Sequence, residues 1–208
     1  MSFDRIAPFY RWMEMLSAGG KLQRCRTAHL DSVGHPKHIL ILGEGHGRFL
    51  PVCAEKFPEA EITVIDASGR MLEIAKSRTK RQDIEWMHAD ILRWEAPENT
   101  YDLIVTHFFL DCFTREEMPA VIALLSRAAT DEATWLLADF QIASRGLAKW
   151  RSRVILALLY RFFRIVSALR PQQLVSPEPW LAEHGFHLKA RITYDWELLK
   201  SERWRREK

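Results

Sequence analysis

Three glycines in five positions, Gly43, Gly45 and Gly47, interrupt the chain directly after an apolar run in HILILGEGHGRFL. Glycine lets the backbone bend sharply and approach another group closely, at a conformational cost of roughly 0.5–1 kcal/mol each in regular structure. A turn of this kind that opens a helix offers amide N–H groups and the positive dipole end to an anionic group. Acidic residues stand at the ends of later apolar runs, Asp66 in EITVIDAS and Asp90 in IEWMHADI, and His107 and Asp111 close YDLIVTHFFLD. A carboxylate at such an end can accept hydrogen bonds from a ribose diol, and a histidine titrating near neutrality suits a general base. Asp66 and Asp90 equally suit the capping of helix N-termini. The candidate chemistry is the binding of a nucleoside-bearing ligand with proton-accepting groups beside it.

These residues need a frame. HILIL (38–42), EITVIDAS (61–68), IEWMHADI (84–91), YDLIVTHFFLD (101–111) and ATWLLADFQ (133–141) read as short apolar strands. RFLPVCAEKF, GRMLEIAKSRT and REEMPAVIALLSRAA read as helices between them. Apolar strands alternating with helices predict a parallel sheet covered on both faces. In open sheets of this kind ligands sit at the carboxyl ends of the strands, where the glycine turn, both aspartates and the His107–Asp111 segment all fall.

The order Gly43-Glu44-Gly45-His46-Gly47-Arg48 departs from the dinucleotide fingerprint, in which glycine stands where Arg48 does. Glu44 would repel a pyrophosphate but suits a ligand with an ammonium group or a positive sulfur. This disfavours a nicotinamide-dependent dehydrogenase and fits S-adenosylmethionine. In that reading Asp66, with Ala67 beside it, meets the ribose, Met71 packs on the adenine, and Asp90 faces the adenine amino group with Ala89 or Ile91 supplying a backbone donor.

ILILGEGHGRFL, VIDASGRMLEIAK, MHADI and YDLIVTHFFLD, in that order and spacing, resemble the class I S-adenosylmethionine-dependent methyltransferases over roughly residues 37–141. The resemblance implies a doubly wound, mostly parallel, seven-stranded Rossmann-like α/β sheet with helices on both faces and an antiparallel C-terminal edge. It implies methyl transfer from S-adenosylmethionine as the activity. The opening FDRIAPFYRWMEML is similar to the N-terminal helix of ubiquinone and menaquinone biosynthesis methyltransferases, which implies Tyr10 over the methionine end of the cofactor. Where the family carries an acidic residue at the end of the first strand, this chain has Ile41, and Glu44 is the candidate to stand in for it. His107 and Asp111, beside where the methyl would point, are the candidate catalytic residues.

The 208 residues, 48% hydrophobic and 27% charged, suit one folded domain. It divides into an N-terminal helical cap (1–35), the cofactor-binding core (36–145), a helical lid (146–174) and C-terminal strands (175–208). A net charge of +3 gives no reason to expect a nucleic-acid partner. Cys25, Cys53 and Cys112 are scattered, and the pairs His35/His38 and His184/His187 lack completing ligands, so no metal site is expected. Charges mixed into the first turns predict no secretory leader, and a cytoplasmic location is expected.

The acceptor should lie against the least generic segments, the aromatic-rich first 33 residues and residues 146–174. Their composition points to a small apolar or aromatic acceptor. Lys149, Arg153, Arg161 and Arg164 fall near one face of the long helical pattern 146–174, with Trp150, Leu158 and their apolar neighbours on the remainder. Three alternatives stay open: a lipid-directed methyltransferase in peripheral contact with a membrane through that basic face, a catalytically silent binder of the cofactor, and a homodimer formed through the apolar helices.

Overall fold

The computed structural model describes residues 20–167 and 174–207. Tyr10 and most of the N-terminal cap lie outside the described residues. Seven strands form one sheet: β1 (His38–Leu42), β2 (Glu61–Asp66), β3 (Glu85–His88), β4 (Tyr101–His107), β5 (Ala129–Phe140), β6 (Phe186–Tyr194) and β7 (Leu199–Arg206). Their spatial order is β3-β2-β1-β4-β5-β7-β6. The first five run parallel, and β7 pairs antiparallel with both β5 and β6. The helices are α1 (Gly20–Thr27), α2 (Leu50–Lys56), α3 (Gly69–Lys76), α4 (Met118–Ala128), α5 (Gly146–Ser167) and α6 (Glu178–Glu183).

Burial on both sides explains the unbroken apolar runs of the central strands. Ile39 and Ile41 of β1, with Leu103 and Val105 of β4, face Leu50 and Cys53 of α2 and Leu72 of α3. Leu40, Leu42 and Ile104 point the other way, against Val121, Ile122 and Leu125 of α4. A third cluster joins Leu22 and Cys25 of α1 to Ala138, Phe140 and Leu199 of the sheet and Leu156 of α5. The expected doubly wound, mostly parallel sheet with its antiparallel edge is the observed one.

Register places the site. Leu42 pairs with Ile65 on one side and Thr106 on the other, and Asp66 pairs with His88. The next residues, Gly43, Asp66 and His107, therefore end three adjacent strands at one level. The strand order reverses there, between β1 and β4, which is where such sheets open a crevice.

One expectation needs correction. The fifth strand starts at Ala129 rather than residue 133, directly from α4, with a register irregularity opposite Tyr101–Leu103. On α5, Trp150 and Leu158 do not help to bury the helix; both are exposed, while Ser152 and Leu156 are buried. Strand β7, flanked by β5 and β6, carries the buried charges Lys200 and Glu202. Glu202 accepts hydrogen bonds from Arg191 Nε (2.7 Å) and Trp204 Nε1 (2.9 Å) and pairs with Lys200 Nζ at 2.9 Å. A buried carboxylate persists when every oxygen is met in this way.

Candidate active site

All three glycines of the turn take a left-handed φ, +62° at Gly43, +60° at Gly45 and +66° at Gly47. The protein itself accounts for two of them. A Cβ on Gly43 would stand 2.6 Å from Cδ2 of Phe109, and one on Gly47 would stand 2.6 Å from Cα of Ala75 in α3. Close packing of loop on ring and loop on helix, rather than a ligand alone, explains the missing side chains. The turn is also pinned from outside, since Arg78 donates to the His46 carbonyl at 2.6 Å and Gln23 to the Arg48 carbonyl at 3.0 Å.

Glu44 folds back over the turn. Its Oε1 accepts from the amides of Phe49 and Leu50, both at 2.9 Å, and so satisfies N–H groups at the start of α2 that no local cap reaches. Loss of water pushes the carboxyl up to about 7, and the two amide donors only partly oppose that.

Asp66 braces two loops. Its Oδ1 accepts from the Ser68 amide at 2.9 Å, and its Oδ2 lies 3.4 Å from the Gly45 amide. The cap of α3 is Ser68, whose hydroxyl accepts from Met71 N at 3.2 Å, so the expected double role of Asp66 as a helix cap is not what is seen. The Ala67 carbonyl meets His88 Nε2 at 3.1 Å, and the buried Met71 occupies the first turn of α3. Asp90 is exposed and does act as a cap: its Oδ1 accepts from Leu92 N at 3.1 Å over the short turn Ile91–Arg93. The Ile91 side chain is buried in the core, leaving only its backbone for a ligand. The Ala89 amide donates to the Asp66 carbonyl at 3.2 Å, which ties these strand ends together.

His107 is buried with its ring edge-on to Phe49, centroids 4.5 Å apart, and its Nδ1 has no hydrogen-bond partner. Burial, reinforced by Arg26 and His29 nearby, holds its pKa well below the usual histidine value, so the ring is neutral at physiological pH. The chain then passes through Phe108 at φ +53°, with the Arg26 guanidinium 5.2 Å above its ring, into the turn Leu110–Cys112.

Asp111 in that turn is raised to about 6 by loss of water, with the Cys112 thiol 3.6 Å from Oδ1. Asp139, buried near the end of β5, accepts from the Phe140 amide at 2.7 Å. Burial and the neighbouring Asp111 hold it well above the ordinary aspartate value, against the pull of Lys200. Above them, from α5, the Tyr160 hydroxyl is buried without a partner, and burial and both carboxyls raise its pKa. Among the described residues no group of three or more His, Cys, Asp or Glu could hold a metal ion.

Known proteins share the fold and part of the sequence. Residues 39–132 match the family model described as a methyltransferase domain. Over 110 residues, 52% of the chain, it is 31% identical to the ubiquinone/menaquinone biosynthesis C-methyltransferase UbiE of Desulfotalea psychrophila. Over 105 residues it is 31% identical to the malonyl-[acyl-carrier protein] O-methyltransferase of Anoxybacillus flavithermus. These alignments span 45% and 39% of the two relatives, so the chain covers less than half the length of either. In fold it is similar to magnesium protoporphyrin IX methyltransferase from Synechocystis, TM-score 0.68 at 17% identity, over 98% of this chain and 97% of that one. The N-methyltransferase NodS of Bradyrhizobium japonicum, solved with S-adenosylhomocysteine, gives a TM-score of 0.64 at 19% identity, over 90% and 85%. The family match covers a little under half of this chain, and the likeness in fold nearly all of it.

Within residues 39–132 the glycine turn, Glu44, Asp66 and His107 lie together at the strand ends, with Ala67, Met71, Asp90 and Ile91 on the adjoining β2–α3 and β3 segments. Two further groups went unnoticed in the sequence reading, Asp139 and Tyr160. Asp139 obeys the same rule as Asp66 and Asp90, an aspartate ending an apolar run in WLLADFQ, and that signal was present. Tyr160 carries no local signal, because its position depends on how α5 turns over the sheet.

Proposed function

We propose that the chain binds S-adenosylmethionine at the carboxyl ends of β1 to β4 and transfers its methyl group to a small apolar or aromatic acceptor lodged between these ends and α5. The observation that carries this reading is the register that aligns the Gly43 turn, Asp66 and His107 in one row, with Asp111 and Asp139 beside it. The two curated relatives are named for methyl transfer to quite different acceptors, which leaves acceptor choice to the segments outside the matched core.

The residues fit the cofactor. Asp66 stands where a carboxylate can accept from a ribose diol, against the Gly45 amide that would line the same crevice. Met71 and the Ile91 backbone flank the space for the adenine. Glu44 brings negative charge to the turn, matched to an ammonium or sulfonium group, and His107 keeps a buried nitrogen without a partner. When bound, the cofactor supplies a methyl group already activated on a positive sulfur.

The chain then has to exclude water and aim the acceptor, which converts an encounter into an oriented, effectively unimolecular step. Where the acceptor is a hydroxyl or an amine, its proton passes to Asp111, whose pKa of about 6 leaves it mostly ionised and still basic at neutral pH. Asp139 keeps the pair from carrying two full charges, and Tyr160 offers a hydroxyl to the same space. His107 stays neutral and orients.

Titration calorimetry tests the reading. S-adenosylhomocysteine should bind and NAD should not. Asp66→Ala should weaken binding by on the order of 1–3 kcal/mol, roughly five- to 150-fold, the cost of hydrogen bonds left unmade. Full affinity in Asp66→Ala, or binding of NAD in place of S-adenosylhomocysteine, would refute it. Transfer of labelled methyl to quinols and phenols separates an enzyme from a silent binder.

A further inference from the structure

The solvent side of α5 is built the wrong way round for a surface helix, which ordinarily turns charge outward. Leu147 (80% exposed), Trp150 (69%), Val154 (37%) and Leu158 (64%) lie along one line of the helix at the i, i+3, i+7, i+11 spacing. Ser152 and Leu156 hold the opposite side against the protein. The helix contains Lys149, Arg151, Arg153, Arg161 and Arg164 and no acidic residue at all. Arg153 and Arg161 are exposed at the flank and far end of the apolar line.

A second feature extends the patch. The turn from β6 to β7 places three consecutive non-glycine residues in the left-handed region, Asp195 (φ 52°), Trp196 (58°) and Glu197 (62°). Such backbone persists only where its surroundings over-determine it, and here they do. Asp195 is held by Lys21 Nζ at 2.6 Å and Arg151 at 2.9 Å, and Glu197 accepts from both the amide and the hydroxyl of Ser144 at 2.9 Å. Between these anchors Trp196 is held out to solvent, 66% exposed, under the Arg151 guanidinium at 5.7 Å from its ring. Arg151 follows Trp150 in the chain, so the indole of the turn and the stripe of α5 are neighbours.

We propose that this face, α5 together with the Trp196 turn, docks the protein on an anionic lipid bilayer. Apolar and tryptophan side chains at the centre with arginines around them match an acyl boundary below anionic headgroups. The same charges argue against a second copy of the chain, because a two-fold contact would set Arg153 and Arg161 of one copy against those of the other. No described helix is long and apolar enough to cross a membrane, and the contact is peripheral. The opposite flank of α5 carries Tyr160 over Asp111 and Asp139, so docking would bring the acceptor side of the crevice to the lipid surface; only this consequence rests on the methyl-transfer reading.

Co-sedimentation of the full chain with vesicles provides the test. It should pellet with phosphatidylcholine–phosphatidylglycerol vesicles at low salt, fall away at high salt, and stay in solution with phosphatidylcholine alone. Trp150→Ser combined with Leu158→Ser should abolish pelleting, and Arg153→Glu or Arg161→Glu should weaken it by about fivefold or more each. S-adenosylhomocysteine affinity should not change in these variants, which separates failure here from failure of the cofactor reading. No pelleting with anionic vesicles, full pelleting by the Trp150/Leu158 variant, or a dimer that this variant splits into monomers would each overturn the proposal.

Discussion

Glu44 lends one oxygen to the amides of Phe49 and Leu50 and is raised from 4.5 to about 7 by loss of water. Because the folded chain holds this proton more tightly than the unfolded one, stability falls as pH rises from 4.5 towards 7 and stays reduced above it. Glutamine keeps an oxygen for the same amides without the charge. Glu44→Gln should therefore melt higher than the parent at pH 8 in the absence of ligand, with the difference narrowing towards pH 5. The same variant should bind S-adenosylmethionine about tenfold or more weakly at pH 8, since its positive end loses a buried counter-charge. Scanning calorimetry and ligand titration measure the two effects; a melting difference independent of pH would refute the raised pKa, and unchanged affinity would detach Glu44 from the cofactor. At this scale the sequence disclosed acidic residues at strand ends and no more. Which atom each carboxylate would touch, whether a cap as for Asp90 or a brace as for Asp66, depends on turns whose geometry composition does not carry.

The strand–turn–helix element around Gly43–Gly47 has its own requirement. A methyl group on Gly47 meets α3 backbone at 2.6 Å, and the residue would keep φ +66°. The left-handed penalty and the forced separation of loop from helix together predict that Gly47→Ala loses roughly 2–5 kcal/mol in urea unfolding. Gly34 has nothing within 4 Å of an added Cβ, so Gly34→Ala should be close to neutral. Equal losses at the two sites would mean that close approach to α3 is not what the turn needs. Elements were the most legible scale. Period and apolar runs marked the strands to within a few residues, because a strand buried on both faces needs an unbroken apolar run. The facing of α5 was not legible, since Trp150 and Leu158 are as apolar as the buried Leu156 and only the fold decides which side meets the sheet.

At the scale of the molecule, opposed ionisations gather at one end of the sheet. Glu44, Asp111 and Asp139 are held above their ordinary values, and His29 and His107 below theirs. The carboxyls make stability fall as pH rises from their unfolded values towards their folded ones, about 6 for Asp111 and about 7 for Glu44. The imidazoles, buried neutral, make it fall as pH drops below 6.5, where the unfolded chain would take up protons that the folded one refuses. Between about pH 4.5 and 6.5 the two sets oppose each other. Above 6.5 the imidazoles are neutral in both states, and the carboxyl contribution is left alone. The ion-paired Asp195 and Glu178, whose values are lowered, add a loss that sets in only in more acid solution. The melting temperature of the ligand-free protein should therefore be nearly level from pH 5 to 6.5 and decline from there through pH 7.5. Asp139→Asn should flatten that decline, because it removes a buried group that must otherwise ionise. A melting temperature that climbs through pH 7 would contradict the account. An end of the sheet that grows less stable as its carboxyls ionise is also one that gains most from a positive ligand, and S-adenosylmethionine should raise the melting temperature more at pH 7.5 than at pH 5.5.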